Sequence, residues 1–128
     1  MQTDTIWSTD DFEQLRTEFG SIYGGRTVLV TGADGFMGSH LTEALVALGA
    51  STHVLVRATS SGALHNLAHL RRELTVHWGD LTDRRAVDRA VGALKGASEP
   101  PYVFHLGAQA HVGESWARPY ETIAANVV

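Results

Sequence analysis

Three glycines at equal spacing, Gly32, Gly35 and Gly38, sit inside "VTGADGFMGSH" (residues 30–40), between a β-branched run and a segment of helical periodicity. One place that needs three bare backbones is a junction where a buried strand turns into a helix. The helix N-terminus there presents unpaired N–H groups and about half a unit of positive charge, so an anion belongs beside it. In that geometry Gly32 takes the tight turn, Gly35 lets a pyrophosphate approach the main chain, and Gly38 lets the helix pack close to the strand. The spacing is G-x-x-G-x-x-G rather than G-x-G-x-x-G, and the Lys-Ser/Thr of an ATPase phosphate loop is absent.

The flanking pattern supplies the context this motif requires. "TVLVT" (27–31) has no polar face, as a strand covered on both sides should. Met37, Leu41, Leu45 and Leu48 then recur at helical spacing, with Gly49 placed as a C-terminal cap. "THVLVR" (52–57) reads as a second strand, "SGALHNLAHLRREL" (61–74) as largely helical, and "TVHW" (75–78) as a third strand. Thr82 is placed to cap a helix with a Val87, Ala90, Val91 and Leu94 stripe; a fourth strand is expected at 102–106 and a further helix from Pro119. Strand and helix alternating four times predict a Rossmann-like, doubly wound parallel sheet with helices on both faces, apparently incomplete at its C-terminal end. Residues 1–25 read as a helical extension, with Ser8 and Asp11 at capping-box spacing and Trp7 and Phe12 at staple spacing; residues 26–128 form the nucleotide-binding domain.

Composition narrows the partners. With 44% hydrophobic and 19% charged residues, the chain is expected to be an ordinary globular domain. A net charge of −4, with ten basic residues scattered, offers no footprint for nucleic acid. No run approaches the roughly 18 apolar residues of a membrane helix, and the acidic start does not suit a signal peptide. With no cysteine there is no thiolate chemistry, and a cytoplasmic setting is the expected one. His65 and His69 share zinc-protease spacing, but Asn66 stands where a catalytic Glu would, so no metal is expected.

"TGADGFMGSHL" resembles the first turn of the extended short-chain dehydrogenase/reductase family, the sugar-nucleotide epimerases and dehydratases, with Met37 where that family more often has Ile. "WGDLTD" (78–83) resembles the family's third-strand motif, which implies that Asp80 and Leu81 meet adenine. "VFHLGAQAHVGESW" resembles its fourth-strand motif, with Gly107 in place of an Ala, and "YETIAANVV" resembles the helix carrying the family's Asn, here Asn126. The cofactor residues so implied are Gly32, Asp34, Gly35, Phe36, Met37, Gly38, Arg57, Ser60, Asp80, Leu81, Leu106, Gly107, Ala108 and Gln109; His111, Val112 and Ser115 are candidates for the substrate. Within the family, "LVRATSSGALHNLAHL" and "AQAHVGESWARP" look most like the GDP-mannose 4,6-dehydratases.

About twenty residues past the glycines, where an acidic residue would accept from a ribose 2′-hydroxyl, stands Arg57, followed by Thr59, Ser60 and Ser61. A guanidinium forks onto a phosphate, so NADP is expected over NAD. The resemblance implies a nucleotide-sugar substrate and internal hydride transfer: hydride leaves sugar C4 for the cofactor, water is lost across C5 and C6, and hydride returns at C6. A 4-epimerase or 4-keto-sugar reductase of the same family is the alternative reading, and a stand-alone dinucleotide-binding or interaction module is the non-enzymatic one. The family's Tyr-x-x-x-Lys is absent: Tyr23, Tyr102 and Tyr120 are followed four residues on by Thr27, Leu106 and Ala124. Catalytic residues are therefore expected beyond Val128, this chain alone is expected to be inactive, and the full-length form is expected to be a homo-oligomer.

Overall fold

The computed structural model describes residues 5–58, 63–109 and 112–127. Four strands, β1 (Thr27–Thr31), β2 (Ser51–Val56), β3 (Leu74–Trp78) and β4 (Tyr102–His105), form one parallel sheet in the order β3-β2-β1-β4. The helices are α1 (Thr9–Tyr23), α2 (Phe36–Ala47), α3 (Arg84–Gly92), α4 (Val112–Ala117) and α5 (Pro119–Asn126), with a 3-10 helix at Ala68–Glu73.

Strand alternation divides the core in two. Val28, Val30, Val54, Val56 and Leu74 point to one face and pack with Leu45 of α2 and with Leu67; Leu29 and Leu55 point to the other and pack with Ala90 and Leu94 beside α3. Each fully buried Val or Leu stabilises the fold by roughly 1.5–3 kcal/mol. The doubly wound expectation is met, because β1 and β2 are apolar on both faces and each face carries its own helix.

The N-terminal helix forms as its sequence directs. Ser8 Oγ accepts the Asp11 N–H at 3.1 Å while Asp11 Oδ2 accepts the Ser8 N–H at 2.8 Å, and these bonds hold the Asp11 carboxyl below its usual range. Trp7 packs on Phe12, and Tyr23 reaches the rings of Tyr102 and Phe104.

Several expectations need correction. The helix anticipated over 61–74 is confined to the 3-10 turn Ala68–Glu73, residues 61 and 62 lying outside the described ones, because the N–H groups of His65, Asn66 and Leu67 are taken by Asp34. His65 consequently lies outside any helix, and His69 binds Glu43 at 2.7 Å instead of pairing with it. Asp83, not Thr82, caps α3: Thr82 gives both its N–H and its hydroxyl to Asp80 Oδ1. Ala86 replaces Val91 on the buried side of α3, with Val91 exposed. Strand β2 is offset by one residue, β3 begins one residue earlier and β4 ends one residue earlier than expected, and α4 was not anticipated.

On the α3 face, His53 and His77 of neighbouring strands meet Nδ1 to Nε2 at 3.0 Å, rings nearly coplanar at 8° and centroids 5.3 Å apart. Such an in-line contact shares one proton; a second would set two N–H groups against each other. Burial lowers both values from 6.5, reinforced for His53 by His77 and for His77 by Arg89. Because the folded values are depressed, the unfolded chain binds more protons, so stability is complete above about pH 6.5 and falls as the pH drops through the folded values. Denaturant unfolding followed from about pH 8 to about pH 5 is expected to show this loss, and His77→Gln to flatten it.

Candidate functional site

The strand order reverses between β1 and β4, and the crevice at the carboxyl ends of these two strands is where an open α/β sheet holds its ligand. Gly32, the first residue past β1, has φ 65°, and a Cβ on it would lie 2.7 Å from the nitrogen of Gly107. Gly38 allows equally close packing, since a Cβ there would collide with the Gly32 carbonyl.

Gly35 is different. A Cβ on it would meet only the Gly32 oxygen, at 3.4 Å, so the protein's own packing does not require a glycine. It is also the N-cap of α2 and supplies no side-chain cap, so no side chain of its own covers the first amides of the helix. A bare, extended-backbone residue with open space above a helix N-terminus suits an approaching pyrophosphate.

The β4 side of the crevice is held by polar side chains. Thr31 Oγ1 accepts the Gly107 N–H at 3.0 Å and lies within hydrogen-bond distance, 2.7 Å, of His105 Nδ1. Asn126 closes a two-point bond with the main chain of Gln109, accepting its N–H at 2.7 Å and donating to its carbonyl at 3.0 Å. Leu106, Gly107, Ala108 and Gln109 thus lie opposite the glycine turn, and Leu81 packs beneath Gly107.

At the other end, Arg57 stands exposed just past β2. The Asp80 carboxyl is lowered chiefly by the Thr82 N–H bond and further by the nearby Arg57 charge, against its partial burial. Arg57 therefore lies near enough for its charge to be felt at Asp80. Phe36 and Met37 expose their side chains, Phe36 resting edge-on against His40 at 4.9 Å; any bond they offer a phosphate comes from the main chain.

The candidate substrate residues are less developed. Ser115 turns its hydroxyl back onto the Val112 carbonyl at 2.6 Å, Val112 is exposed, and Ser60 and His111 lie outside the described residues. Among the described residues no group of three or more His, Asp or Glu is placed to hold a metal. Thr31 was not singled out from the sequence; its only local signal was a hydroxyl closing an otherwise apolar strand.

A parallel sheet with a glycine turn at its switch point defines a Rossmann-type domain of the epimerase/dehydratase class, and the comparisons agree. The family model described as GDP-mannose 4,6 dehydratase matches residues 29–128, and the chain belongs to that family. GDP-mannose 4,6-dehydratases of Cricetulus griseus and Vibrio cholerae are 35% and 34% identical, over 68% and 76% of this chain and 24% and 27% of their own. The chain thus spans about a quarter of the length of these curated relatives. The epimerase Mth375 of Methanothermobacter thermautotrophicus is similar in structure (TM-score 0.65, 29% identity, 91% of this chain and 32% of that one). So is the Bordetella bronchiseptica enzyme WbmG, whose crystal structure is in complex with NAD (TM-score 0.62, 29% identity, 81% of this chain and 31% of that one).

Gly35→Val is expected to abolish dinucleotide binding while costing the fold about 1 kcal/mol, the usual difference between a good and a poor N-cap. Gly38→Val should instead prevent folding. Thermal unfolding and cofactor titration on the two variants check this, and equal loss of both properties in Gly35→Val would make Gly35 structural.

Proposed function

We propose that this chain binds NADP as the cofactor-binding portion of a nucleotide-sugar 4,6-dehydratase. The observation that carries the reading is Gly35, whose missing side chain serves no contact within the protein yet leaves open the helix N-terminus that a pyrophosphate needs. Family membership and the NAD-bound neighbour support it. The amides of the α2 N-terminus would hold the pyrophosphate, Asp80 and Leu81 the adenine, Arg57 with Ser60 the 2′-phosphate, and the Leu106–Gln109 segment the nicotinamide end. When bound, the cofactor supplies a reversible hydride acceptor. The rigid β4 segment would set where that acceptor faces, and His111, Val112 and Ser115 would border the sugar. A 4-epimerase remains the second reading, favoured by the similarity to Mth375, because both activities share this cofactor half. We place the protein in the cytoplasm and its complete form in a homo-oligomer; among the described residues no helix is long and apolar enough to cross a membrane.

Arg57→Asp is expected to weaken NADP relative to NAD by roughly 1 to 3 kcal/mol, the scale of hydrogen bonds to a charged group. Titration of both cofactors measures the ratio, and an unchanged ratio would reduce the arginine to a surface residue.

Residues 1–128 alone are expected to give no 4-keto product from NADP and a panel of GDP-, dTDP-, CDP- and UDP-sugars, because no Tyr-x-x-x-Lys occurs among them. Turnover by the purified chain, with contaminating enzyme excluded, would overturn this.

A further inference from the structure

A carboxylate within the glycine turn is an unexpected neighbour for a pyrophosphate, and the partners of Asp34 explain its presence. Its Oδ1 accepts the N–H of Asn66 at 2.7 Å and of Leu67 at 3.1 Å; its Oδ2 accepts the N–H of His65 at 2.8 Å. Asn66 Nδ2 returns a bond to the Asp34 carbonyl at 2.9 Å. The three amides lie directly ahead of the 3-10 helix Ala68–Glu73, whose N-cap residue, Leu67, makes no capping bond of its own. A side chain 31 to 33 residues away thus satisfies the amides of the loop that leads into this helix, the last of them belonging to the N-cap residue itself. Leu67, at the end of the clasp, is fully buried against the core of Val54 and Val56.

We propose that Asp34 is a positioning residue: its carboxylate is a clasp on three loop amides that holds the chain returning from β2 against the glycine turn, fixes the spacing between the pyrophosphate and ribose ends of the groove, and touches no part of the cofactor. The inference rests on the dinucleotide reading above. Its physical basis is saturation, since three of the roughly four lone-pair sites of a carboxylate already face main-chain donors on one side. A direct role, accepting a ribose hydroxyl, makes the opposite demand and has a distinct signature. Removing a hydroxyl acceptor weakens NAD and relieves repulsion of a 2′-phosphate, whereas loosening a shared wall weakens both cofactors alike.

The test combines amide hydrogen exchange at residues 65–67 of the cofactor-free chain with titration of NAD and NADP, on the natural protein, Asp34→Ala and Asp34→Asn. In Asp34→Ala, exchange at the three amides should accelerate on the order of tenfold or more, as bonds to an ionised acceptor are lost. NAD and NADP affinities should fall by a common factor of about ten. Asp34→Asn retains one acceptor oxygen and should lie between the two, which keeps the test intact if the alanine variant folds poorly. Unchanged exchange at 65–67, or a loss confined to NAD, would overturn the proposal. Failure of the natural protein to bind either dinucleotide would overturn the functional reading and with it the role in groove spacing; the exchange data tell that failure apart from failure of the clasp itself.

Discussion

The main chains of Gly32 and Gly107, at the ends of β1 and β4, approach so closely that a Cβ on the first would stand 2.7 Å from the nitrogen of the second. The rest of the groove depends on this abutment. It brings the Thr31 hydroxyl to the Gly107 amide and the His105 ring, and it leaves Leu81 as the floor beneath Gly107. Because Gly32 turns with φ 65°, α2 starts at once over the end of its own strand, with Gly38 pressed against the Gly32 carbonyl. A helix that began one turn later would aim its amides elsewhere.

A surface assembled this way is largely main chain, and that bears on what it can discriminate. Backbone N–H groups at a helix N-terminus recognise a phosphate whatever side chains surround them, so on the dinucleotide reading this part of the groove depends little on side-chain identity. Discrimination needs side chains, and those near the ribose end are few: Arg57, exposed, and Asp80, half covered and bonded to Thr82. On the reading proposed above, that division would let one cofactor half serve dehydratases and epimerases alike, with the choice of sugar left to residues that are not part of the turn.

What could be read in the sequence follows the range of the forces involved. β1 was legible to the residue because an apolar run ending in Thr-Gly has no competing signal, and the turn at Gly32 and the close packing at Gly38 were legible because they follow from local geometry. The stretch 61–74 misled for a specific reason. Its leucine periodicity is real, Leu67 being buried and Leu64 and Leu70 packed against the core, but Asp34 claims the amides that a longer helix would have used. The same competition moved the α3 cap, since Asp80 engages Thr82 before it can serve the helix. On α3 the period was right and three of the four stripe residues, Val87, Ala90 and Leu94, pack in the core; Gly79 lies against Ala86, so that Ala86 joins them and Val91 turns outward. Thr31 and Asp34 find their partners 31 to 76 residues away, a distance no local pattern spans.

Electrostatics poses the remaining problem, because on the dinucleotide reading a chain with a net charge of −4 would hold an anion between two aspartates, one of them next to Gly35. A free carboxylate at either position would repel the ligand. Neither is free. Asp34 spends its charge on three main-chain amides, and Asp80 spends one oxygen on the amide and hydroxyl of Thr82, with the Arg57 guanidinium near enough to lower its pKa further. Donors gathered around a carboxylate offset its field at short range, while the α2 N-terminus, lacking a side-chain cap on its amides, keeps its positive end directed at the groove. On the dinucleotide reading, the acidic residues therefore organise the walls through donors of the protein's own, and the uncapped α2 N-terminus is the group at Gly35 left to meet an anion.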